Sequence, residues 1–343
     1  MLRQSAEAVL QELMQYEAVF SLPRKFKINF SGCEKSCGQP WINDLGFVAR
    51  QKEGRILYQV IGAGSLGSRP ASGIVLREDL EPRDAPAFAL AALQVFNEHG
   101  DREHRTRARL RHVRERLGTA QFLLLLNEAF ERCRKIAAAG PALTVPEKNF
   151  RRIALLTFPC GLLEPAHARA IAASGFVARI QNHHRIALYT DDPGEAGEAV
   201  QQHPLLGRFT AGLDIVSCPG TTWCKHGLIN THGLERLLRV RLPEDFDSAI
   251  RISGCPNGCC HSAVAEIGLI GRVRKDADGN RIEGVQVLAG GGMGRTPELA
   301  HELDTFVPSG EVPDRIMKII VPGSSTTHRH EHRCMLCVNK ETV

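Results

Sequence analysis

The chain has 343 residues, enough for two or three compact units, each with its own core. Its 43% hydrophobic and 24% charged content are ordinary for a soluble globular protein, and a net charge of +5 is too mild to argue for nucleic acid. No apolar run reaches the roughly 18 residues of a membrane span, and no basic-then-apolar leader opens the chain. A cytoplasmic protein is expected, in which eleven cysteines point to metal or redox work and not to disulfides.

Residues 3–16 carry apolar positions at Ala8, Val9, Leu10, Leu13 and Met14, which predict a short helix. Leu22-Pro-Arg-Lys-Phe-Lys-Ile-Asn-Phe30 predicts a strand, whose alternation sets Lys25 and Lys27 on one face. Further strands are predicted over 47–61 and 73–77, then an apolar helix over 86–98. Segment 101–118 is polar, with seven arginines against three acidic residues. It lacks the interleaved aromatics of a nucleic-acid stripe, so no nucleic-acid partner is expected. An apolar helix follows over 120–139, and Pro141 and Pro146 mark a boundary. Strand 152–158, helix 164–174, a hairpin over 176–190 and helix 195–203 give the β-α-β-β-α order of a ferredoxin-like unit.

The expected organisation is therefore a partial first module over 1–100, a helical linker over 101–146 and a ferredoxin-like half domain over 147–207. A cysteine-bearing module over 208–320 and a mobile tail over 321–343 complete it. The tail, His328-Arg-His-Glu-His-Arg-Cys-Met-Leu-Cys337, has no periodicity and reads either as disordered or as a small metal-binding tract.

Four cysteines carry the chemistry. Cys218-Pro-Gly-Thr-Thr-Trp-Cys224 and Cys255-Pro-Asn-Gly-Cys259 form the spacing C-x5-C-x30-C-x3-C. Two close thiolate pairs on separate turns can wrap an iron–sulfur cubane, and the nearby glycines and prolines let backbone amides turn toward the sulfurs. A zinc site or a set of buried free thiols are the alternatives, and the five-residue gap lies outside the usual zinc knuckle. Asn257, between the second pair, either hydrogen-bonds a sulfur or shapes the turn. Cys133 and Cys160 read as helix-face and strand-core residues, and His183 and His184 as surface residues of a hairpin.

An internal repeat underlies the chain. Ser31-Gly-Cys-Glu-Lys-Ser-Cys37 aligns with Ser253-Gly-Cys-Pro-Asn-Gly-Cys259 at an offset of 222, which also takes Asp44-Leu-Gly46 onto Glu266-Ile-Gly268. Gly64-Ser-Leu-Gly67 aligns with Gly291-Gly-Met-Gly294 at an offset of 227. Only the second copy has a C-x5-C upstream, so the first is expected to be incomplete, with Cys33 and Cys37 as a half site or as packed thiols. The loop Gly290-Gly-Gly-Met-Gly294 is expected to offer free amides to a carboxylate or a close approach to a flat ring, chiefly at Gly291 and Gly292.

Together, the Leu22–Lys27 and Asp44–Gly46 motifs, the basic Arg107–Val113 segment leading to Arg116-Leu-Gly118, and both cysteine pairs resemble the sirohaem-dependent sulfite and nitrite reductase family. The resemblance covers about residues 15–320. It implies an α+β fold: a pseudo-twofold pair of mixed α/β sirohaem/4Fe–4S modules with a ferredoxin-like unit between them, here with the first module incomplete. It also implies that Cys218, Cys224, Cys255 and Cys259 hold the 4Fe–4S cluster, that Cys259 ligates the sirohaem iron, and that Lys25 and Lys27 face a small inorganic oxyanion. Cys260, beside the bridging thiol, stands where a small glycine is expected. Electrons would come from a ferredoxin or flavoprotein, and a further chain would supply the missing first half. A non-catalytic electron-transfer or tetrapyrrole-binding subunit and a corrin-pathway enzyme remain the rival readings.

Overall fold

The computed structural model describes residues 2–32, 34–143, 151–210 and 212–319, so Cys33 and the His/Cys tail lie outside the described residues. The described chain divides into two compact units. One takes in the residues up to 143 together with 293–297, and the other the remainder from 151 onward.

The first unit opens with helix α1 (Leu2–Leu13), which buries Ser5, Val9, Glu12 and Leu13. This face differs from the expected one: Leu10 is 59% and Met14 49% exposed. Two polar side chains hold the inner positions because each finds a partner. Tyr58 donates to Ser5 Oγ at 2.9 Å, and Glu12 accepts from the Tyr16 hydroxyl at 2.9 Å and the Ala138 amide at 3.0 Å.

Strands β1 (Ile28–Ser31), β2 (Leu45–Lys52), β3 (Arg55–Gly62) and β4 (Ile74–Leu80) form a sheet in that order. β1 and β2 are parallel, whereas β2–β3 and β3–β4 are antiparallel. The β2–β3 hairpin turns on Glu53 and Gly54, both at positive φ (51° and 76°), as a two-residue turn that matches strand twist requires.

Helix α2 (Ala85–His99) is apolar nearly all round, and eleven of its side chains are buried between neighbours. Short α3 (Leu110–Leu117) leads into α4 (Thr119–Cys133), which buries Phe122, Leu126, Ala129, Phe130 and Cys133 on one stripe. Phe130 packs against Phe88 of α2 with ring centroids 5.2 Å apart, and each such fully buried ring contributes about 1.5–3 kcal/mol. α4 stops at Cys133 and not at 139. Beyond it the amides of Ala138 and Gly140 donate to Glu12 and to the Arg83 carbonyl, so tertiary bonds replace the helical ones.

The strand expected over 22–30 is shorter than its sequence suggests. Lys25 and Lys27 precede the ladder, in an extended segment outside any strand. Both are exposed, while Phe26 between them turns inward against Phe96 at 5.6 Å. A buried carboxylate fixes this segment: Asp44 accepts the Lys27 amide at 2.8 Å and both arms of Arg109, at 3.0 and 2.7 Å. The arginine-rich linker thus anchors itself on the Asp-Leu-Gly motif.

In the second unit, β5 (Arg151–Thr157), α5 (Pro165–Ala173), β6 (Val177–Gln181), β7 (Arg185–Thr190) and α6 (Ala196–Gln202) follow the expected β-α-β-β-α order. Their antiparallel sheet has the order β5-β7-β6. Then come β8 (Ile215–Ser217), the single turn α7 (Gly220–Trp223), α8 (Thr231–Arg241) and β9 (Ile250–Ser253). β10 (Ile267–Lys275), β11 (Arg281–Ala289), β12 (His301–Pro308) and α9 (Val312–Ile316) finish the described chain. The second sheet reads β12-β11-β10-β9-β8, with β8, β9 and β10 parallel to one another and the rest antiparallel.

The internal repeat is a repeat of fold. β9 to β12 copy β1 to β4 in order, direction and register, Ile250 facing Ile267 as Ile28 faces Leu45. Glu266 accepts the Ala249 amide at 2.7 Å as Asp44 accepts that of Lys27. β8 has no counterpart in the first sheet among the described residues. Glu235 of α8, fully buried, joins both sheets of this unit. It accepts the Cys160 amide at 2.9 Å, the Ser217 hydroxyl at 2.5 Å and Arg239 at 3.0 and 2.8 Å.

Asp44→Asn removes one partner of a buried charge pair and strands Arg109, so unfolding stability should fall by about 3 kcal/mol. Urea denaturation followed by circular dichroism measures this; a midpoint matching the wild type would deny Asp44 the anchoring role.

Candidate thiolate site on two touching loops

Cys218 lies directly after β8, and its amide still donates to the Ile252 carbonyl at 3.0 Å, so the first cysteine loop leaves the sheet beside β9. The second loop leaves from the end of β9, at Gly254. The two meet backbone to backbone: a Cβ on Gly254 would sit 3.0 Å from Gly220 Cα and 3.4 Å from Cys218 Sγ. Gly220 has φ +52°, and a Cβ there would lie 2.3 Å from Thr231 Oγ1 and 2.6 Å from the Ile229 carbonyl oxygen. Only glycine permits that approach.

Contact brings hydrogen bonds to sulfur. The Gly254 amide donates to Cys218 Sγ at 3.1 Å, and its carbonyl accepts the Leu228 amide at 2.8 Å. Cys224 is held by its amide on the Gly220 carbonyl at 3.0 Å, and its own carbonyl accepts from Gly227 at 2.9 Å. Cys255 and Cys260 are buried, Cys218 and Cys224 half-buried, and Cys259 exposed. Asn257 is exposed at the tip of the second loop.

Cys260 is more than a small hydrophobe. Its thiol hydrogen-bonds Cys218, and that bond, aided by the Gly254 and Gly220 amides, lowers the Cys218 thiol to about 6 against the opposing effect of burial. The same bond, with burial, pushes Cys260 far above the ordinary thiol range. Among the described residues no three Cys, His, Asp or Glu side chains are drawn together tightly enough to hold a single metal ion. The donor set nevertheless suits an iron–sulfur cluster: soft thiols on two turns, with backbone N–H already directed at a sulfur.

The glycine loop departs from expectation. Its amides are not free, since Gly290, Gly291 and Gly292 donate to the carbonyls of Glu266, Ala265 and Glu298 at 2.9, 3.0 and 3.0 Å. Ala63, Gly64 and Ser65 make the matching bonds in the first copy, to Asp44, Asn43 and Ala71. The loop is a shared structural device, and of its glycines Gly292 and Gly294 have open space where a side chain would point. Its continuation belongs to the first unit, where the Gly294 carbonyl accepts from Trp41 Nε1 at 2.9 Å and Ser36 Oγ at 2.8 Å. Cys37, near that anchor, is exposed.

Two further expectations are corrected. Cys160 is not in a strand core; it sits in a turn beyond β5 at φ +56°, buried, and burial raises its thiol to about 11. His183 and His184 are half-buried at positive φ and not on an open surface. His183 Nδ1 lies 3.3 Å from Arg251, and burial followed by Arg251 drives the imidazole down to about 3. Arg251 and Arg185 both pair with Asp214, at 3.0 and 2.7 Å. Burial alone would raise Asp214, yet these two arginines hold it well below the usual carboxylate range. Sequence reading missed this network because its members are scattered over the β6–β7 hairpin, the segment before β8 and β9, and share no motif.

Paired thiolate loops on a duplicated α/β scaffold define a class of iron–sulfur protein, and comparison gives the family. The sequence model of the nitrite and sulphite reductase 4Fe–4S domain matches residues 3–133 and 211–339, and the chain belongs to that family. Membership implies a 4Fe–4S cluster and sirohaem as cofactors. An assimilatory ferredoxin-dependent nitrite reductase of Haloferax mediterranei is 28% identical, over 90% of this chain and 60% of its own length. A sulfite reductase [ferredoxin] 2 of Mycolicibacterium paratuberculosis is 25% identical over 87% of this chain and 59% of its length. The structure of the Mycobacterium tuberculosis NirA protein superposes with a TM-score of 0.75 at 23% identity, covering 95% of this chain and 66% of that one, and the fold is shared. The chain spans less than two thirds of the length of each of these relatives. Among the described residues, no helix is long and apolar enough to cross a membrane.

In the metal-free chain held under reductant, alkylation of Cys218 should follow a thiolate that forms above about pH 6. Cys260→Ala should move that midpoint upward by roughly one unit, as loss of a bond to the charged form requires. Peptide mapping after pulsed iodoacetamide reads it; a midpoint near that of free cysteine in the unaltered chain would contradict the thiol pairing.

Proposed function

We propose that the chain carries the cluster-binding part of a sirohaem-dependent reductase that performs multi-electron reduction of sulfite or nitrite. The observation that carries this reading is the contact of the two cysteine loops at Gly220 and Gly254, with an amide already donating to Cys218 Sγ. In it Cys218, Cys224, Cys255 and Cys259 would hold the 4Fe–4S cluster, and exposed Cys259 would be the thiol shared with the sirohaem iron. Asn257 and the open side of Gly292 would contact the macrocycle, with Gly291 setting the backbone of that loop. When bound, these cofactors store electrons and provide the iron at which an oxyanion loses its oxygens.

Lys25 and Lys27 are the chain's own contribution to substrate handling. Both ammonium groups are exposed, and Asp44 fixes the backbone between them by holding the Lys27 amide. They attract the anion, orient it, and donate hydrogen bonds to the oxygens that leave as water. Trp223, 67% exposed beside Cys224, with exposed Lys225 after it, is the surface for an acidic electron donor, a ferredoxin or a flavoprotein. The reading takes the protein to be cytoplasmic. The four-stranded first sheet, beside the five strands of the second, favours completion of the active site by further polypeptide.

Protein purified anaerobically from cells supplied with sirohaem should contain about four iron and four acid-labile sulfide per chain, with isobacteriochlorin absorbance. Cys259→Ser should lose the macrocycle bands and alter the cluster spectrum together; unchanged spectra would remove Cys259 from the bridge. With a chemical reductant, Lys25→Gln/Lys27→Gln should lower kcat/KM for the preferred oxyanion about 100-fold. Absence of iron and sulfide from the purified chain sinks the whole reading.

A further inference from the structure

A cavity of about 470 Å³ opens in the second unit among the end of β5, α5, the turn at 207–209 and α8. It lies beside the start of β8, where Arg239 donates to the carbonyls of Leu213 and Ile215, whereas Cys218 follows the end of that strand. Its size is that of a small-molecule pocket. Nothing in the reductase reading uses it.

The polar lining is rich in donors. His167, only 3% exposed, has Nε2 2.9 Å from a terminal nitrogen of Arg208. A guanidinium has donors only, so Nε2 accepts and the imidazole proton sits on Nδ1. That Nδ1–H is buried and has no hydrogen-bond partner among the described residues. A buried donor of this kind is costly unless an acceptor reaches it. Arg208 stacks on Phe209 at 4.8 Å but makes no ion pair among the described residues, and neither does Arg236. Arg239 is already neutralised by Glu235. Among the described residues Glu164 is the one acidic side chain on the lining, so positive charge remains in excess. Leu162 and Phe209 supply apolar wall.

We propose that this cavity binds a small organic anion, its carboxylate or phosphate oxygens held by Arg208, Arg236 and the Nδ1–H of His167, and its apolar part lying against Leu162 and Phe209. Charge-assisted bonds to two arginines give the site its preference for oxygen anions, and the apolar wall favours an organic ligand over a bare inorganic ion.

Calorimetric titration of the cofactor-loaded chain with benzoate, phenyl phosphate and inorganic phosphate tests this. At least one organic probe should bind about tenfold more tightly than inorganic phosphate, and whichever of the two binds better identifies the head group. Arg208→Gln/Arg236→Gln should weaken that probe at least about tenfold, and Arg236→Gln alone, on an exposed side chain, should weaken it about threefold without threatening the fold. His167→Phe should weaken it as well. Lys25→Gln/Lys27→Gln should leave this binding unchanged, which keeps the result independent of the oxyanion site. No organic binding at 20-fold excess over about 1 mM, or binding indifferent to Arg236, would overturn the proposal.

Discussion

Two backbones touching at glycine set how the two cysteine loops of the second unit meet. Gly220 and Gly254 approach so closely that a methyl group on either would meet main-chain atoms. At that contact lie the amide bond to Cys218 and the Leu228 bond that closes the first loop. Parallel pairing of β8 with β9 delivers both loops to the same end of the sheet, as parallel strands must. The cysteines themselves are passengers on this arrangement.

Duplication explains which features are general and which are special. Both copies keep an acid that captures the amide ahead of a strand, Asp44 for Lys27 and Glu266 for Ala249. Both keep three loop amides that close on carbonyls, two on the preceding segment and one a few residues further on. The copies part where chemistry is at stake. Asp44 recruits Arg109 and carries two lysines ahead of its strand, while the strand after Glu266 runs beside β9, whose far end opens into a thiol loop. One scaffold therefore carries two exposed lysines ahead of its first strand in one copy and two adjoining cysteine loops in the other.

Much of this could be read from the sequence, for physical reasons. Strand and helix order followed from periodicity, and the repeat from aligned Ser-Gly-Cys and acid-x-Gly motifs, because backbone-imposed residues leave short local signatures. That the two cysteine pairs sit on two adjoining loops was legible, since each pair brackets a short glycine- and proline-bearing turn. Hidden features depend on residues far apart in the chain. Leu10 and Met14 were assigned to a core that Ser5 and Glu12 occupy, because their partners Tyr58 and Ala138 are distant. The amides at Gly290–Gly292 were expected to be open, yet their acceptors lie some 25 residues earlier in the chain or beyond the loop. Nor does any local motif announce the Asp214–Arg251–His183 network or the Cys260 bond to Cys218.

Glu235 has a mechanical consequence. One buried carboxylate binds the turn after β5, the hydroxyl at the end of β8 and an arginine one helical turn along α8. Rotation of the three-stranded layer against the five-stranded one would have to break charge-assisted bonds in a site that water does not reach. The two layers of the second unit are thereby held as one block, and the cysteine loops are built on its edge.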